Sequence, residues 1–298
     1  MKRLLIIGCG DVGLRTALLL SGRHRIHALT HSMDRVAELR RYGIVPQYGD
    51  LDRTDTLDGI AGLAHDVIHL APPPPRGRRD IRTAHLIAAL ARGGSLPQHF
   101  VYISTSGVYG DCGGALVDET SPLRPQTDRA YRRADAERRL REWGARSGVR
   151  VSILRVPGIY AADRLPVARI ARGTPALQPQ DDSYVNHVHA DDLARMIVAA
   201  LHRGQANRSY NASDDAPQKM GDYFDLVADR FRLPRPPRVT RAEAQSVIPE
   251  NLYSFMNESR RLANARIKLE LRVRLRYPTV HEGIAAAWAA AQESGHGT

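Results

Sequence analysis

The sequence is poor in the residues that mark metal sites, disulfide frameworks and membrane spans. It has only two cysteines, Cys9 and Cys112, and their spacing is not that of metal ligands. We therefore expect no metal site and no disulfide framework, which favours a reducing, cytoplasmic location. No apolar run approaches the length of a membrane span, and the first strand is too soon interrupted by glycine to be a signal peptide. Membrane contact is not expected.

Lysine and aromatic residues are also scarce, and this limits how the positive charge is interpreted. The formal net charge is +11, yet lysine occurs only at Lys2, Lys219 and Lys268, so arginine supplies nearly all of the charge. A basic surface attracts phosphates. However, aromatic residues make up only 6% of the chain, and no arginine run is interleaved with the stacking side chains that single-strand binders need. We therefore expect an anionic cofactor or substrate and no nucleic acid.

What the sequence does contain is a glycine-rich turn at its start. An apolar run ends at Gly8, the pattern G-x-G-x-x-G follows, and residues 14–20 have helical spacing. This strand, turn and helix are typical of a dinucleotide-binding crossover. The first glycine permits a tight turn, the second lets backbone amides approach a pyrophosphate, and the third lets the helix pack against its strand. The residues predicted to bind the pyrophosphate are Gly8, Gly10, Asp11, Val12 and Gly13.

The second predicted strand, residues 26–30, favours NADP as the cofactor. An NAD enzyme of this type usually ends this strand in a carboxylate that binds the adenosine ribose. This strand instead ends in polar and basic residues, with no acid before Asp34. Such groups suit the extra phosphate of NADP, although NAD is also compatible, and the same residues could simply be a solvated loop in which Asp34 caps a helix. The candidate ligands here are Thr30, His31, Ser32 and Arg35.

The next two strands complete the predicted cofactor cleft. The third, residues 44–52, ends in an acidic turn where an adenine ring would lie. The fourth, residues 66–71, runs into four prolines, so the chain must leave the sheet beside the cofactor. The basic loop at 76–79 could meet an anionic substrate or be solvated. The residues assigned to this part of the cleft are Asp50, Leu51, Leu70, Ala71 and Pro72.

Several segments, taken in order and spacing with the glycine turn, resemble the extended short-chain dehydrogenase/reductases, the NAD(P)-dependent sugar epimerase/dehydratase family. The resemblance implies an α/β fold, a doubly wound parallel Rossmann sheet with a small C-terminal substrate lobe. It places the NAD(P)-binding domain at 1–160 and the C-terminal part at 161–298, with 184–215 returning to the sheet and 216–280 forming the lobe. It also places Pro157 beside the nicotinamide and suggests a homodimer. The matching segments are 104–110 (STSGVYG), 154–160 (LRVPGIY), 186–194 (NHVHADDLA), 210–214 (YNASD) and 277–284 (YPTVHEGI).

The sequence departs from this family at its catalytic pair. The family uses a Ser or Thr after the fifth strand and a Tyr-x-x-x-Lys on the next helix, where the lysine lowers the tyrosine pKa. Thr105 fits the hydroxyl position. Tyr131, however, is followed four residues later by Asp135 in place of lysine.

The spacing of two neighbouring residues sets the helix register. Glu137 and Arg155 fit the family's glutamate and arginine without a gap, which puts Arg133 at the lysine position and Arg129 at the tyrosine position. Tyr131 is then about 200° around the helix from the expected face.

The resemblance implies an NAD(P)-dependent oxidoreductase or epimerase that transfers hydride to or from a polar carbonyl or carbinol substrate, such as a nucleotide sugar or a phosphorylated compound. In this reading Thr105 hydrogen-bonds the reacting oxygen and Arg133 anchors cofactor or substrate. The proton donor is open between Tyr131 and Tyr109. Because the usual pair is lost, the alternative is an NADP(H)-binding sensor or scaffold without turnover.

Two histidines of the predicted strand 187–189 are the remaining candidates. His187 and His189 alternate and so share a face. No third ligand is evident, so substrate contact or structural hydrogen bonding is expected and metal binding is not. Asp191 or Asp192 is expected to cap the helix that follows.

Overall fold

Seven parallel strands form the central sheet of the protein, in a computed structural model that describes residues 1–295. The strands are β1 (Lys2–Ile7), β2 (His24–Thr30), β3 (Val45–Tyr48), β4 (Asp66–His69), β5 (His99–Thr105), β6 (Leu116–Val117), β7 (Arg150–Val156), β8 (Gly158–Tyr160), β9 (Ala176–Leu177), β10 (Tyr184–Val185), β11 (His187–His189), β12 (Arg208–Asn211), β13 (Gln218–Lys219), β14 (Arg238–Val239) and β15 (Arg261–Leu262). The helices are α1 (Asp11–Leu20), α2 (Asp34–Arg41), α3 (Ile81–Ala91), α4 (Asp128–Ser147), α5 (Val167–Ala171), α6 (Ala190–Arg203), α7 (Met220–Arg230), α8 (Arg241–Val247), α9 (Glu250–Met256), α10 (Ala265–Leu271) and α11 (Val280–Gly295).

The order of the sheet is β12-β7-β5-β4-β1-β2-β3, and every pairing in it is parallel. The chain starts at β1, moves outward to β3 and then crosses to β4 on the other side of β1. In such a doubly wound sheet, ligands bind outside the carboxyl ends of the strands where the order reverses. The α/β fold class predicted from the sequence is confirmed, and the crevice between β1 and β4 is where a cofactor is expected.

Both faces of the sheet are covered, which explains the uninterrupted apolar run of β1. Leu4 and Ile6 belong to one core cluster, built with residues of α1, α6 and α10. Leu5 and Ile7 belong to a second cluster, built with residues of α3 and α4 on the opposite face. A parallel strand buried on both faces needs apolar side chains at every position.

A third core cluster holds the C-terminal lobe together. It combines Tyr160 at the end of β8 with residues of α5, α7, α8, α9 and α11, including Tyr223, Phe224 and Met256. The lobe thus draws on residues before 184 as well as on residues after 216. It lies at the carboxyl ends of β5 and β7, because β8 follows β7 directly and pairs with β11. No helix in the part of the chain described by the structure is long and apolar enough to cross a membrane.

Helix α6 begins earlier than the sequence predicts, so the expected N-cap is wrong. The cap is His189, whose Nδ1 accepts the backbone N–H of Asp191 at 3.2 Å. Asp191 and Asp192 lie in the first turn of the helix. The Asp192 carboxylate instead accepts the backbone N–H groups of Arg276 and Tyr277 at 2.8 to 3.0 Å, which ties the chain before α11 to the first turn of α6.

Candidate cofactor cleft and substrate cavity

The glycine turn brings the carboxyl ends of β1 and β4 into contact. Gly8 has a φ of +85°, and a Cβ built on it would lie 2.5 Å from the amide nitrogen of Ala71. Only glycine fits such a position without moving the backbone. A Cβ on Gly13 would lie 3.1 Å from the Gly8 carbonyl oxygen, so the first turn of α1 packs closely against the turn.

Space for an anion lies in front of α1. A Cβ built on Gly10, the residue before the helix, would meet no atom within 4 Å. The first amides of a helix have no intrahelical acceptor, and the helix dipole favours negative charge there. The Asp11 carboxylate, which could repel an anion, is engaged by the Arg15 guanidinium at 2.7 Å. These features fit a dinucleotide pyrophosphate.

A cavity of about 200 Å³ continues from the glycine turn between β1, the end of β3 and the end of β4. Arg82 of α3 also lines this cavity, although sequence reasoning missed it. Arg82 donates to both carboxylate oxygens of Asp52 at 2.7 and 2.5 Å and to the Pro72 carbonyl at 3.2 Å, joining the acidic turn to the proline segment. The predicted cofactor residues that the structure brings together here are Gly8, His31, Asp50, Leu51, Ala71 and Pro72.

Arg35 reaches from α2 back to the glycine turn. Its guanidinium donates to the Cys9 carbonyl at 2.6 Å and to the Glu38 carboxylate at 2.7 Å. Thr30 and Ser32 form a local turn in which the Ser32 amide donates to the Thr30 hydroxyl at 3.2 Å. Helix α2 begins with Asp34, so that residue is not the cap. A half-buried guanidinium, paired with Glu38, therefore lies against the glycine turn.

A second cavity, of about 290 Å³, lies between the ends of β5 and β7 and the lobe. Thr105 and Pro157 both line it, so the predicted hydroxyl and the predicted nicotinamide-side proline face the same space. The Thr105 hydroxyl oxygen accepts the Gly107 N–H at 3.2 Å as the cap of the short turn Ser106–Tyr109. This bond orients the hydroxyl, whose proton can still be donated to a substrate oxygen.

The structure does not bring Tyr131 into this cavity. Its ring instead lies under the guanidinium of Arg78, with 4.5 Å between the Cζ atom and the ring centroid. Arg129, two residues earlier on α4, does line the cavity. Arg133 lies beneath the end of β5, where it donates to the Tyr102 hydroxyl at 3.0 Å and to the Ile103 carbonyl at 2.9 Å.

Tyr109, the other candidate proton donor, belongs to a buried network. Its hydroxyl donates to the Asn211 side-chain oxygen at 2.8 Å and accepts from Arg155 at 2.9 Å. Arg155 in turn pairs with Glu137 at 2.8 Å, and Glu137 accepts the Ser104 hydroxyl at 2.6 Å. Burial raises the pKa of Tyr109 to about 12. This phenol joins the turn after β5 to β7 and β12, and it is not among the residues that line the cavity.

The two histidines of β11 have different surroundings. His187 is buried in the cavity wall with its ring centroid 4.2 Å from that of Tyr223, and burial lowers its pKa to about 4. It is therefore neutral near pH 7. His189 caps α6 and stacks on Tyr277 at 4.0 Å. Among residues 1–295 no group of three or more histidine, cysteine or acidic side chains could hold a metal ion.

Much of the cavity wall comes from residues after β8 that sequence reasoning missed. They lie far apart in the chain, and no local pattern marks them, because only the packing of the lobe brings them together. These segments contain no motif comparable to the glycine-rich turn that could have identified the cavity-wall residues. The polar ones are Arg169, Tyr184, Tyr223, Glu258 and Arg260.

Comparisons with known proteins agree with this architecture. A protein from Silicibacter pomeroyi described as a functionally unknown conserved protein has a TM-score of 0.82 and 28% identity, covering 97% of this chain and 99% of that one. The dTDP-glucose 4,6-dehydratase of Bacillus anthracis, solved in complex with NAD, has a TM-score of 0.79 and 15% identity, covering 100% and 98%. At that identity the second likeness shows the fold alone.

A curated relative and a family profile give the assignment. The trifunctional UDP-glucose 4,6-dehydratase, epimerase and reductase of Arabidopsis thaliana is 24% identical over 167 residues, 52% of this chain and 25% of the plant protein. This chain thus spans about a quarter of the length of that relative. The profile of the NAD dependent epimerase/dehydratase family matches residues 8–213, from the glycine turn to the segment after β12. The chain belongs to the NAD dependent epimerase/dehydratase family.

Proposed function

We propose that the protein is an NAD(P)-dependent oxidoreductase or epimerase that transfers hydride to or from a polar carbonyl or carbinol carbon. The observation that carries the proposal is the position of Thr105. Its hydroxyl lines the substrate cavity at the same edge of the sheet as the glycine turn and the cleft around Asp50. The name of the plant relative supports a phosphorylated compound as the substrate class, either a nucleotide sugar or a smaller molecule.

When bound, the nicotinamide supplies or accepts the hydride. The chain's own residues position the reactants: the Thr105 hydroxyl hydrogen-bonds the reacting oxygen, and Arg133 stiffens the end of β5 through the Ile103 carbonyl. Arg129 stands in the cavity wall as a permanent cation, which can bind an oxyanion but cannot act as a base at ordinary pH. The lobe contributes apolar side chains to the cavity wall, including Met220, Phe224 and Phe255.

We propose NADP(H) as the preferred cofactor. The end of β2 carries no carboxylate for a ribose, and the Arg35 guanidinium lies against the glycine turn at the Cys9 carbonyl. A guanidinium in this position can bind a 2′-phosphate through two charge-assisted hydrogen bonds. His31, which lines the cleft, and Ser32 would add further donors.

Two measurements test the proposal. Fluorescence titration with NADPH and NADH measures cofactor binding and preference. Oxidation of NADPH is then followed over a panel of carbonyl substrates for wild type, Thr105→Val and the matched control Thr120→Val, a threonine on an exposed loop. Losing one donor to the developing oxyanion should lower kcat about 10²-fold in Thr105→Val, with the control unchanged. Equal activity in all three proteins would rule out this role for Thr105.

A second candidate function is an NADP(H)-binding sensor or scaffold without turnover. Arg129 favours it, because a guanidinium that cannot exchange a proton faces the cavity while Tyr131 points elsewhere. Tight NADPH binding combined with no oxidation of NADPH by any carbonyl in the panel would support this candidate over the first.

A further inference from the structure

Two half-buried guanidinium groups face the substrate cavity and form no salt bridge in the described part of the chain. Arg129 projects from α4 and Arg169 from α5, and both line the cavity. Within residues 1–295 neither guanidinium forms a hydrogen bond, and no carboxylate oxygen lies within 4.0 Å of either one. Burial lowers the pKa of both groups, because taking a charge out of water is unfavourable, and for Arg129 the Glu258 carboxylate opposes this shift without reversing it.

Each guanidinium is held in place by an aromatic ring. The Cζ atom of Arg129 lies 3.9 Å from the ring centroid of Phe255, and that of Arg169 lies 4.0 Å from the ring centroid of Phe224. A guanidinium over a ring is attracted by the π system, while its N–H groups remain free to donate around its edge. The two cations are therefore positioned in advance for a ligand.

The other charges of the cavity cancel each other. Glu258, which is buried, pairs with Arg260 at 2.9 Å. Arg129 and Arg169 then leave the cavity with a net charge of about +2 at neutral pH, since arginine stays protonated. A ligand that carries oxyanion groups would supply the missing negative charge.

The position of Arg129 in the cavity wall indicates where such a group lies relative to the reacting atoms. The cavity volume of about 290 Å³ is at the lower end of ligand pockets. Thr105 and Arg129 are in the same wall region, where the end of β5 and its following turn contact α4. A group bound by Arg129 would therefore lie on the same side of the cavity as a carbon beside Thr105.

We propose that the substrate is a small compound carrying a carboxylate or phosphate close to its reacting carbon, and that Arg129 and Arg169 bind this oxyanion. The planar, forked donors of arginine match both oxyanions. This inference rests on the proposed function only in its use of Thr105 to locate the reacting carbon. The binding of the oxyanion itself can be measured without any reaction.

Calorimetric titration with malonate and with inorganic phosphate tests the proposal, with malonamide as the uncharged counterpart of malonate. The proteins are wild type, Arg129→Gln, Arg169→Gln and the matched control Arg276→Gln. Arg276 also lies over a ring, that of Tyr277 at 5.4 Å, but it is exposed and outside the cavity. We expect at least a tenfold loss of affinity in each cavity variant and no change in the control. The stronger of the two probes identifies the oxyanion as carboxylate or phosphate.

Two further readouts separate this proposal from a structural role and from the proposed function. Thermal unfolding of ligand-free Arg129→Gln and Arg169→Gln should be unchanged or shifted upward, because a buried charge that forms no salt bridge is removed. Lower unfolding temperatures with unchanged probe affinity would overturn the proposal, as would wild type binding malonate and phosphate no better than malonamide. NADPH binding, titrated separately, should be equal in all four proteins. If wild type did not bind NADPH, the proposed function would be wrong, but the result on oxyanion binding would remain valid.

Discussion

Replacing Asp214 with asparagine should stabilise the protein at neutral pH. This carboxyl group is buried after β12, and in the described part of the chain no side chain hydrogen-bonds to either of its oxygens. Burial, with the nearby Asp215 carboxylate adding to it, raises the pKa of Asp214 from 3.8 to about 8. The folded protein therefore holds a proton that the unfolded chain releases near pH 4.

The sign and the size of the effect follow from this difference in pKa. Between about pH 4 and pH 8 the folded state binds more protons than the unfolded state, so the free energy of unfolding falls as pH rises. Each pKa unit is worth about 1.4 kcal/mol, so the loss at pH 7 is at most about 4 kcal/mol. Asparagine does not titrate, but its amide also needs partners in this site, which reduces the gain. We expect Asp214→Asn to be more stable than wild type by about 1–3 kcal/mol at pH 7.5.

Urea denaturation of wild type and variant at pH 5.0 and pH 7.5 measures this gain. The comparison must be between the two proteins, because buried histidines such as His187, whose pKa is lowered to about 4, oppose the trend in each protein alone. The matched control is Asp55→Asn, which makes the same substitution at an exposed site, paired with Arg53 at 2.8 Å and not among the groups that shift the pKa of Asp214. It should change stability by less than about 1 kcal/mol. The reasoning fails if the advantage of Asp214→Asn does not grow between pH 5.0 and pH 7.5.

Three further predictions concern the ion pair beneath the site and the cofactor cleft. Glu137→Gln leaves the buried Arg155 guanidinium without the carboxylate that lies 2.8 Å from it. Urea denaturation should therefore show that the free energy of unfolding falls by about 3–5 kcal/mol. A decrease of less than about 1 kcal/mol would contradict the importance of this pair. Gly10→Ala puts a methyl group into the open space before α1. The melting temperature measured by circular dichroism should be nearly unchanged, while NADPH affinity should fall at least about tenfold. Unchanged affinity would exclude a pyrophosphate in this space. Arg35→Gln should weaken NADPH binding by about tenfold in fluorescence titration and leave NADH binding unchanged. The control Arg40→Gln, at an exposed position, should affect the binding of neither nucleotide. An equal loss of affinity for both nucleotides in Arg35→Gln would contradict a 2′-phosphate contact.

Features that depend on local sequence were predicted well. The apolar run, the glycine turn and the helix that follows are contiguous, and the conformation of Gly8 is set by residues beside it and by the strand end at Ala71. The fold class followed from this pattern and from the later segments. On α4, the rotation of about 100° per residue was enough to separate Arg129, which lines the cavity, from Tyr131, which does not.

Features that depend on distant segments were not predicted. The cap of α6 was misplaced because His189 can cap the helix only if the strand β11 runs directly into it. The sequence alone makes Tyr109 a candidate proton donor, but in the fold its hydroxyl is bound by Asn211 and Arg155, which lie far along the chain. No sequence pattern marked Arg169 or Glu258 as cavity residues, since an isolated charged residue has no periodicity.

The sequence by itself determined the parallel sheet, the glycine turn and the position of the Thr105 hydroxyl, because each is specified by residues close together in the chain. Only the tertiary structure decided which charges face the substrate cavity. Arg129 and Arg169 come from different helices and meet in one cavity through the packing of the lobe against the sheet. Neither guanidinium forms a salt bridge in the described chain, because the packing of the lobe decides which carboxylates lie within ion-pair distance of it.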